Sequence, residues 1–180
     1  MRAAWIVLGV LVLARGASAD DDVRGWVGLG GRNALGPAYS DFGVYAMSGL
    51  WLAHEHLQPF VRLGWSQGGG GGFSIDALRA GIGLAAGAPL AREHVWIGGS
   101  AAVEGMYVWS QDGTTSAPLG MLSLSALVQV RAFRRFLVGV EAGPDFFPSL
   151  LRSARGNLLW DAVRFNAGLR LGVILGPTIE

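Results

Sequence analysis

The chain has 180 residues, a length that suits one domain. Hydrophobic residues make up 51% of it and charged residues 15%, well below the roughly 25% typical of soluble domains. All 14 basic residues are arginines and the net charge is +1, which does not support a basic nucleic-acid surface. There is no cysteine, so backbone pairing and packing must stabilise the fold without disulfides.

The first predicted element is a cleaved signal peptide. Met1 and Arg2 give a positive start, and residues 3–14 form an apolar run that is shorter than the roughly 20 residues of a membrane-spanning helix. Residues 17–19 are a small-x-small cleavage site followed by three aspartates. We predict cleavage after Ala19, export through the periplasm, and a single mature domain over residues 20–180.

Eight segments of the mature chain then alternate in hydrophobicity with a period of two, which indicates strands. They cover residues 23–32, 41–52, 57–66, 73–87, 94–110, 118–132, 136–147 and 161–175. In the last one, Val163, Phe165 and Leu169 share an apolar face, while Arg164 and Arg170 point the other way. Residues 33–40, 67–72, 111–117 and 148–160 are predicted as the longer or more polar loops, and residues 53–56, 88–93 and 133–135 as compact turns.

This alternation predicts an all-β fold, an eight-stranded antiparallel up-and-down transmembrane β-barrel. Beyond the signal peptide no apolar run approaches helix-spanning length, yet mean hydropathy is +0.40. In a membrane barrel apolar residues occupy every second position and face lipid. The sheet is expected to close, because each unpaired backbone group in hydrocarbon costs several kcal/mol.

Aromatic residues near the strand ends predict two girdles at the membrane interfaces, where amphipathic rings are enriched. Two of the tryptophans are expected near the periplasmic rim and the other aromatics near the outer rim. The predicted girdle consists of Trp51 and Trp96, then Trp65, Tyr107, Trp109 and Trp160.

The inward faces carry charges that fall at similar heights when each hairpin is registered through its turn. The predicted buried layer contains Arg62, Arg79, Glu104, Glu141 and Arg170, with Asp145 and Arg164 nearer the outer end. Buried charges must be paired, so we expect Glu141 to pair with Arg170 and Asp145 with Arg164. This layer has a structural interpretation, a plug of the lumen, and a functional one, a gate in an ion path.

Catalytic, metal-binding and cofactor-binding residues are not predicted. The histidines, His54, His56 and His94, all fall at predicted periplasmic turns, away from the outer rim where a lipid-processing enzyme would place a serine-histidine-acid set. A metal site made of His54, His56, Glu93 and His94 has no supporting ligand spacing. The glycine-rich residues 67–72 are not followed by the Lys-Ser or Lys-Thr of a phosphate loop.

The signal peptide, the eight alternating strands, the interfacial aromatics and the charged lumen together resemble the small outer-membrane barrels of Gram-negative bacteria, of the OmpA/OmpX-like kind. The resemblance covers the mature chain and is one of pattern. It implies a location in the cell outer membrane, with the lipid bilayer, lipopolysaccharide and the barrel-assembly machinery as partners. Such barrels usually end in an aromatic residue, whereas this chain ends in residues 176–180, GPTIE.

We therefore interpret the chain as a non-enzymatic outer-membrane protein with a structural or surface-interaction role, a plugged lumen, no cofactor and no nucleic-acid partner. One alternative is a soluble secreted up-and-down barrel that binds an apolar ligand, as lipocalins do. Another is a narrow, porin-like ion-conducting pore through the same lumen. The soluble alternative needs polar outward faces, whereas the predicted outward positions hold Val, Leu, Ile, Phe and Ala on most strands.

Overall fold

The computed structural model describes residues 23–36, 40–52, 55–70, 73–90, 94–111, 113, 116–133, 135–148 and 162–175. The predicted signal peptide, His54, Glu93 and Trp160 lie outside these residues. Within the described part of the chain, no helix is long and apolar enough to cross a membrane.

Eight strands form the fold, one in each predicted segment. They are β1 (Arg24–Leu35), β2 (Ser40–Trp51), β3 (Leu57–Gly70), β4 (Phe73–Leu90), β5 (Val95–Ser110), β6 (Ser116–Ala132), β7 (Phe136–Phe146) and β8 (Val163–Leu175). All neighbours are antiparallel and follow chain order around a closed barrel. The predicted all-β up-and-down barrel is confirmed.

The closing seam joins the first strand to the last. It runs from Gly25 opposite Leu175 to Leu35 opposite Phe165 without interruption. The glycine-rich first strand, whose sequence has the weakest alternation, is thus paired on both sides. No sheet edge is left at this seam, as a barrel in hydrocarbon requires.

Several strands are longer than the sequence predicts, and the predicted loops are correspondingly shorter. β1 continues to Leu35 through part of the predicted loop 33–40, and β4 continues to Leu90. β3 extends through Gly68 and Gly69, which pair with Ile75 and Ser74. Glycines give no alternation signal, but their backbones pair like any others, so the third connection shrinks to residues 71–72.

The two ends of the barrel differ, and we name them by their connections. The turn end holds the start of β1, the end of β8 and the connections β2–β3, β4–β5 and β6–β7. The loop end holds the other four connections, including the longest, between Phe146 and Val163. Even strand number and both termini at one end are typical of outer-membrane barrels.

Along each strand, side chains alternate between the barrel interior and its exterior. The exterior is an apolar belt in which Leu29, Ile82 and Val103 are 67%, 67% and 63% exposed. Phe42, Leu169 and many other apolar residues share this face. A soluble monomer rarely exposes such a continuous apolar surface, whereas lipid covers it at no cost.

Inward glycines make room for large side chains in the narrow interior. A Cβ on Gly64 would lie 2.5 Å from the backbone oxygen of Val44 and 2.7 Å from Cβ of Tyr45. A Cβ on Gly83 would lie 2.7 Å from the backbone oxygen of Ala101 and would also meet the Phe60 ring. These positions therefore require glycine for close approach, because eight strands leave space only for interdigitated side chains.

Candidate functional site: the charged lumen

The middle of the barrel interior holds a band of charged side chains, each 7% exposed or less. Seven of the eight strands each point one or two of these side chains inward, so that they meet around the barrel axis. We call this set the lumen band: Arg32, Asp41, Arg62, Arg79, Glu104, Glu141, Asp145, Arg164 and Arg170.

Glu104 on β5 is the main acceptor of the lumen band. Its carboxylate bonds to Arg62 and lies 3.4 Å from Nη1 of Arg32 and 3.1 Å from Nη2 of Arg79. Nε of Arg79 also donates to it, at 3.2 Å. One carboxylate thus contacts the guanidinium groups of three strands, β1, β3 and β4.

Glu141 on β7, two strands from β5, is a second acceptor. It bonds to Arg170, and the Tyr45 hydroxyl donates to its Oε1 at 2.9 Å. Arg62 lies 4.0 Å from the same oxygen. Arg62 on β3 therefore contacts both glutamates.

Two aspartates complete the lumen band on its loop side. Asp145 accepts hydrogen bonds from Arg32, from Ser123 and, at 2.9 Å, from Asn166. Asp41 accepts one from Arg164 at 2.9 Å. Two longer contacts, Arg164 to Asp145 and Arg79 to Asp41, are both 3.8 Å.

Apolar layers flank the lumen band on both sides. On the turn side, Trp26, Phe60, Leu127 and other buried residues form one cluster. On the loop side, Met106, Met121 and Phe147 belong to a second cluster. The guanidinium of Arg164 stacks over the Phe147 ring at 4.5 Å and so links this second cluster to the lumen band.

The space between the charged side chains is small. A cavity lined by Arg32, Tyr45, Arg62, Arg79 and Glu104 has a volume of about 10 Å³. This holds no more than one water molecule. At this level the side chains themselves fill the interior, as expected for eight strands.

The structure brings together the seven charged residues that the sequence singles out. Arg170 contacts Glu141 and Arg164 contacts Asp145, the two pairings that strand register predicts. Asp145 and Arg164 lie on the loop side of the others. Arg62 and Arg79 share Glu104.

Sequence reasoning missed two members of the lumen band, Arg32 and Asp41. The parity that places Trp26 inward on β1 also places Arg32 inward, and Asp41 has the parity of Tyr45 on β2. The alternation in the sequence therefore includes both residues. They were missed because they stand at the predicted ends of their strands, and only the central positions were assigned to the charged layer. With them the lumen band holds five arginines and four carboxylates, compared with four arginines and three carboxylates among the seven predicted residues.

The aromatic girdle is corrected for two of its members. Trp51 and Trp96 are each 2% exposed and lie inside the turn end of the barrel, not against lipid. Both residues occupy positions of their strands that face the interior. The Trp96 Nε1 donates to the Glu55 carbonyl at 2.7 Å. The Arg131 guanidinium lies over the Trp51 ring, 5.2 Å from its centroid.

The other girdle residues behave differently. Trp65 and Tyr107 are exposed on the outer wall toward the loop end. Trp109 is half-buried beside Tyr107, with 6.2 Å between ring centroids. Trp160 lies outside the described residues. The loop-end girdle thus has three described aromatics on the exterior.

A second ionic cluster, which sequence reasoning missed, lies at the turn end. The Glu55 carboxylate accepts hydrogen bonds from Arg24 at 2.9 Å and from Arg131 at 2.6 Å. Glu55 comes from the β2–β3 connection, where its residue type predicts a solvated turn. Only the three-dimensional closure of the barrel brings it beside β1 and β6.

Among the described residues, no group of three or more His, Cys, Asp or Glu side chains is arranged to hold a metal ion. His56, a member of the rejected histidine set, is exposed and its Nδ1 lies 2.8 Å from the Gly87 carbonyl oxygen. Two other members, His54 and Glu93, are outside the described residues.

Taken together, an apolar exterior, a closed antiparallel wall and a charged interior define an eight-stranded transmembrane β-barrel. Comparison with solved structures gives the same class. The chain is similar in fold to the crystal structure of Neisserial surface protein A (NspA), with a TM-score of 0.54 and 10% identity over 85% of this chain and 96% of that one. It shares the fold of the small outer-membrane barrels.

Two further structures match with lower scores. One is Ail, the attachment invasion locus protein of Yersinia pestis, with a TM-score of 0.49 and 11% identity over 86% of this chain and 98% of that one. The other is the N-terminal barrel domain of Pseudomonas aeruginosa OprF, with a TM-score of 0.48 and 11% identity over 83% of this chain and 97% of that one. No family model and no curated protein sequence matches the chain.

Proposed function

We propose that the chain is a non-enzymatic outer-membrane protein of a Gram-negative bacterium, with a closed lumen and a structural or surface-interaction role. The observation that carries this proposal is the inversion of polarity across the wall. Leu29, Ile82 and Val103 face outward, while nine charged side chains are sealed inside. Only a lipid environment makes that arrangement favourable.

The closed lumen is supported by the pairing of its charges. Each of the five arginines of the lumen band contacts at least one carboxylate. If one arginine moved away, a buried carboxylate would lose an ion-pair partner, and this would cost several kcal/mol of free energy. The apolar clusters on either side further separate the lumen band from water, so an ion entering the lumen must displace paired charges.

The proposed setting follows from the same features. Residues 1–19 direct export and are removed after Ala19, leaving one mature barrel domain that crosses the periplasm. Assembly machinery inserts it, and phospholipid and lipopolysaccharide then surround the apolar belt. The loop end faces outside, where its connections meet external partners, and the turn end faces the periplasm.

A non-enzymatic role is supported by the pairing of the interior acids with arginine. Glu104, Glu141, Asp41 and Asp145 all accept hydrogen bonds or ion pairs from arginine. A carboxylate held in this way is a poor general base, because taking up a proton would break its ion pair. The lumen band stabilises the barrel instead.

The soluble, lipocalin-like alternative is not supported by the structure. Its exterior should be polar and its interior an apolar cavity, but both polarities are reversed here. The ion-conducting alternative uses the same lumen and differs only in whether the lumen band opens.

Fractionation of cells that express the full chain tests the proposal. The expected result is recovery in the outer membrane, solubilisation only with detergent, and faster gel migration of the unheated barrel than of the heated chain. Recovery in the soluble periplasm without detergent would contradict the proposed location. Steady ion conductance of the purified barrel would contradict the closed lumen.

A further inference from the structure

Glu55, in the β2–β3 connection, lies at the turn-end mouth of the barrel. At the base of this connection, Leu52 and Leu57 pair through two backbone hydrogen bonds, of 2.8 and 3.2 Å. Within this turn, Glu55 is only 7% exposed, although turn residues of this type are usually solvated.

Three contacts fasten Glu55 to distant strands. Its Oε1 accepts from Nη1 of Arg24 on β1 and from Nη2 of Arg131 on β6, and its carbonyl accepts from the Trp96 indole on β5. β1 and β6 lie three strands apart on the shorter way around the barrel, so this single carboxylate ties opposite sides of the mouth together.

The closed position has two costs. Glu55 has φ of 69°, in the left-handed region that disfavours side chains other than glycine. In addition, several buried polar atoms of the turn half of the lumen have no hydrogen-bond partner among the described residues: both amide atoms of Gln58, Oε1 of Gln129 and the indole nitrogens of Trp26 and Trp51. Water reaching these atoms would satisfy them.

We infer that Glu55 is a reversible latch on the turn-end mouth. In the closed state its carboxylate joins Arg24 to Arg131. In the open state Glu55 swings outward, its backbone relaxes, and water enters as far as Gln58 and Gln129. The contact between the His56 carbonyl and the Gly87 amide, at 3.0 Å, anchors the far side of the turn as the hinge.

This device is distinct from the lumen band. Gln129 lies opposite Trp96 and Gly139, on the turn side of the charged residues, whereas Ser66 lies on the loop side, opposite Ala77. Opening the latch therefore hydrates the turn half alone. The inference requires the barrel fold but neither the outer-membrane location nor a sealed lumen band, so it is tested separately from the proposed function.

The absence of cysteine makes single-cysteine labelling a clean test. The full chain carrying Gln129→Cys is refolded in detergent and treated with a water-soluble maleimide. We expect slow labelling with Glu55 present, and labelling roughly tenfold faster or more with Glu55→Gln or Glu55→Gly, because charge-assisted hydrogen bonds to a buried carboxylate are lost. Arg24→Gln, which removes one of the two ion pairs, should give an intermediate rate.

Two control positions calibrate the rates. Phe133→Cys, 91% exposed at the same end, reports the unhindered rate. Ser66→Cys, buried on the loop side, should stay protected in every Glu55 variant. Heat-modifiable migration verifies that each variant forms the barrel before it is labelled.

Exchange of the Trp96 indole proton with deuterium, followed by NMR, gives a second readout on the chain with Glu55 intact. Protection of that proton with occasional opening is expected. Two results would overturn the inference. In the first, Gln129→Cys is labelled as fast as Phe133→Cys although Glu55 is present, and the Trp96 indole proton exchanges rapidly. In the second, Gln129→Cys is labelled equally slowly in folded chains with and without Glu55.

Discussion

Neutralising Glu104 should destabilise the barrel more than any comparable change on its surface. The Glu104→Gln substitution keeps the size of the side chain but removes the charge that faces Arg32, Arg62 and Arg79. Arg32 and Arg79 retain Asp145 and Asp41, whereas Arg62 retains only the 4.0 Å contact with Glu141. Removing one partner of a buried ion pair costs about 3–5 kcal/mol.

Urea unfolding in detergent micelles, followed by the mobility difference between folded and unfolded chains, measures this cost. With a urea dependence of about 1–3 kcal/mol per molar, the unfolding midpoint should fall by at least about 1 M. The Gln67→Ala control alters an exposed polar residue, so its free energy of unfolding should change by no more than about 0.5 kcal/mol.

A midpoint for Glu104→Gln as close to wild type as that of the control would refute the reasoning. It would mean that water already solvates the arginines around position 104. The interior would then be a hydrated passage rather than a set of mutually dependent ion pairs.

Three further predictions concern the wall and its exterior. Gly64→Ala should lower the free energy of unfolding, because the added Cβ would lie 2.5 Å from the backbone oxygen of Val44. Gly105→Ala is the control: its Cβ would have no atom within 4 Å, so the free energy of unfolding should stay unchanged or rise slightly. Urea midpoints measure both effects. Val103→Arg, on the lipid face, should cost about 2–4 kcal/mol in lipid vesicles, and Ser74→Arg, at an exposed position of the loop-end start of β4, about 0–1 kcal/mol. Equal costs would contradict the assigned exterior. Brominated lipids should quench the fluorescence of a variant whose sole tryptophan is Trp65, and should quench variants that keep only an interior tryptophan much less.

The strands were predictable because alternation is a direct consequence of a wall that is apolar on one side and polar on the other. The prediction was incomplete where that pattern fades. Gly68 and Gly69 were assigned to a loop because glycine carries no side-chain signal, although their backbones pair with β4. Strand ends are set by backbone pairing, which depends on the neighbouring strand and is not visible in the local sequence.

The interior charges were partly predictable for the same reason. Register through compact turns located Glu104 and Glu141 near the arginines that they contact. Arg32 and Asp41 were missed at strand ends, and Glu55 was missed because its partners are on β1 and β6, which no hairpin register connects to it. Trp51 and Trp96 were assigned to the girdle by residue type, whereas strand parity places them inside.

Single-channel recording in planar lipid bilayers tests the central claim of a sealed lumen most directly. The wild-type barrel, inserted at known protein density, should give no resolved conductance steps, while a variant in which Glu104 and Glu141 are both replaced by alanine should give steps or unstable current. Reproducible, steady conductance of the wild-type barrel would contradict the closed lumen and would favour a pore.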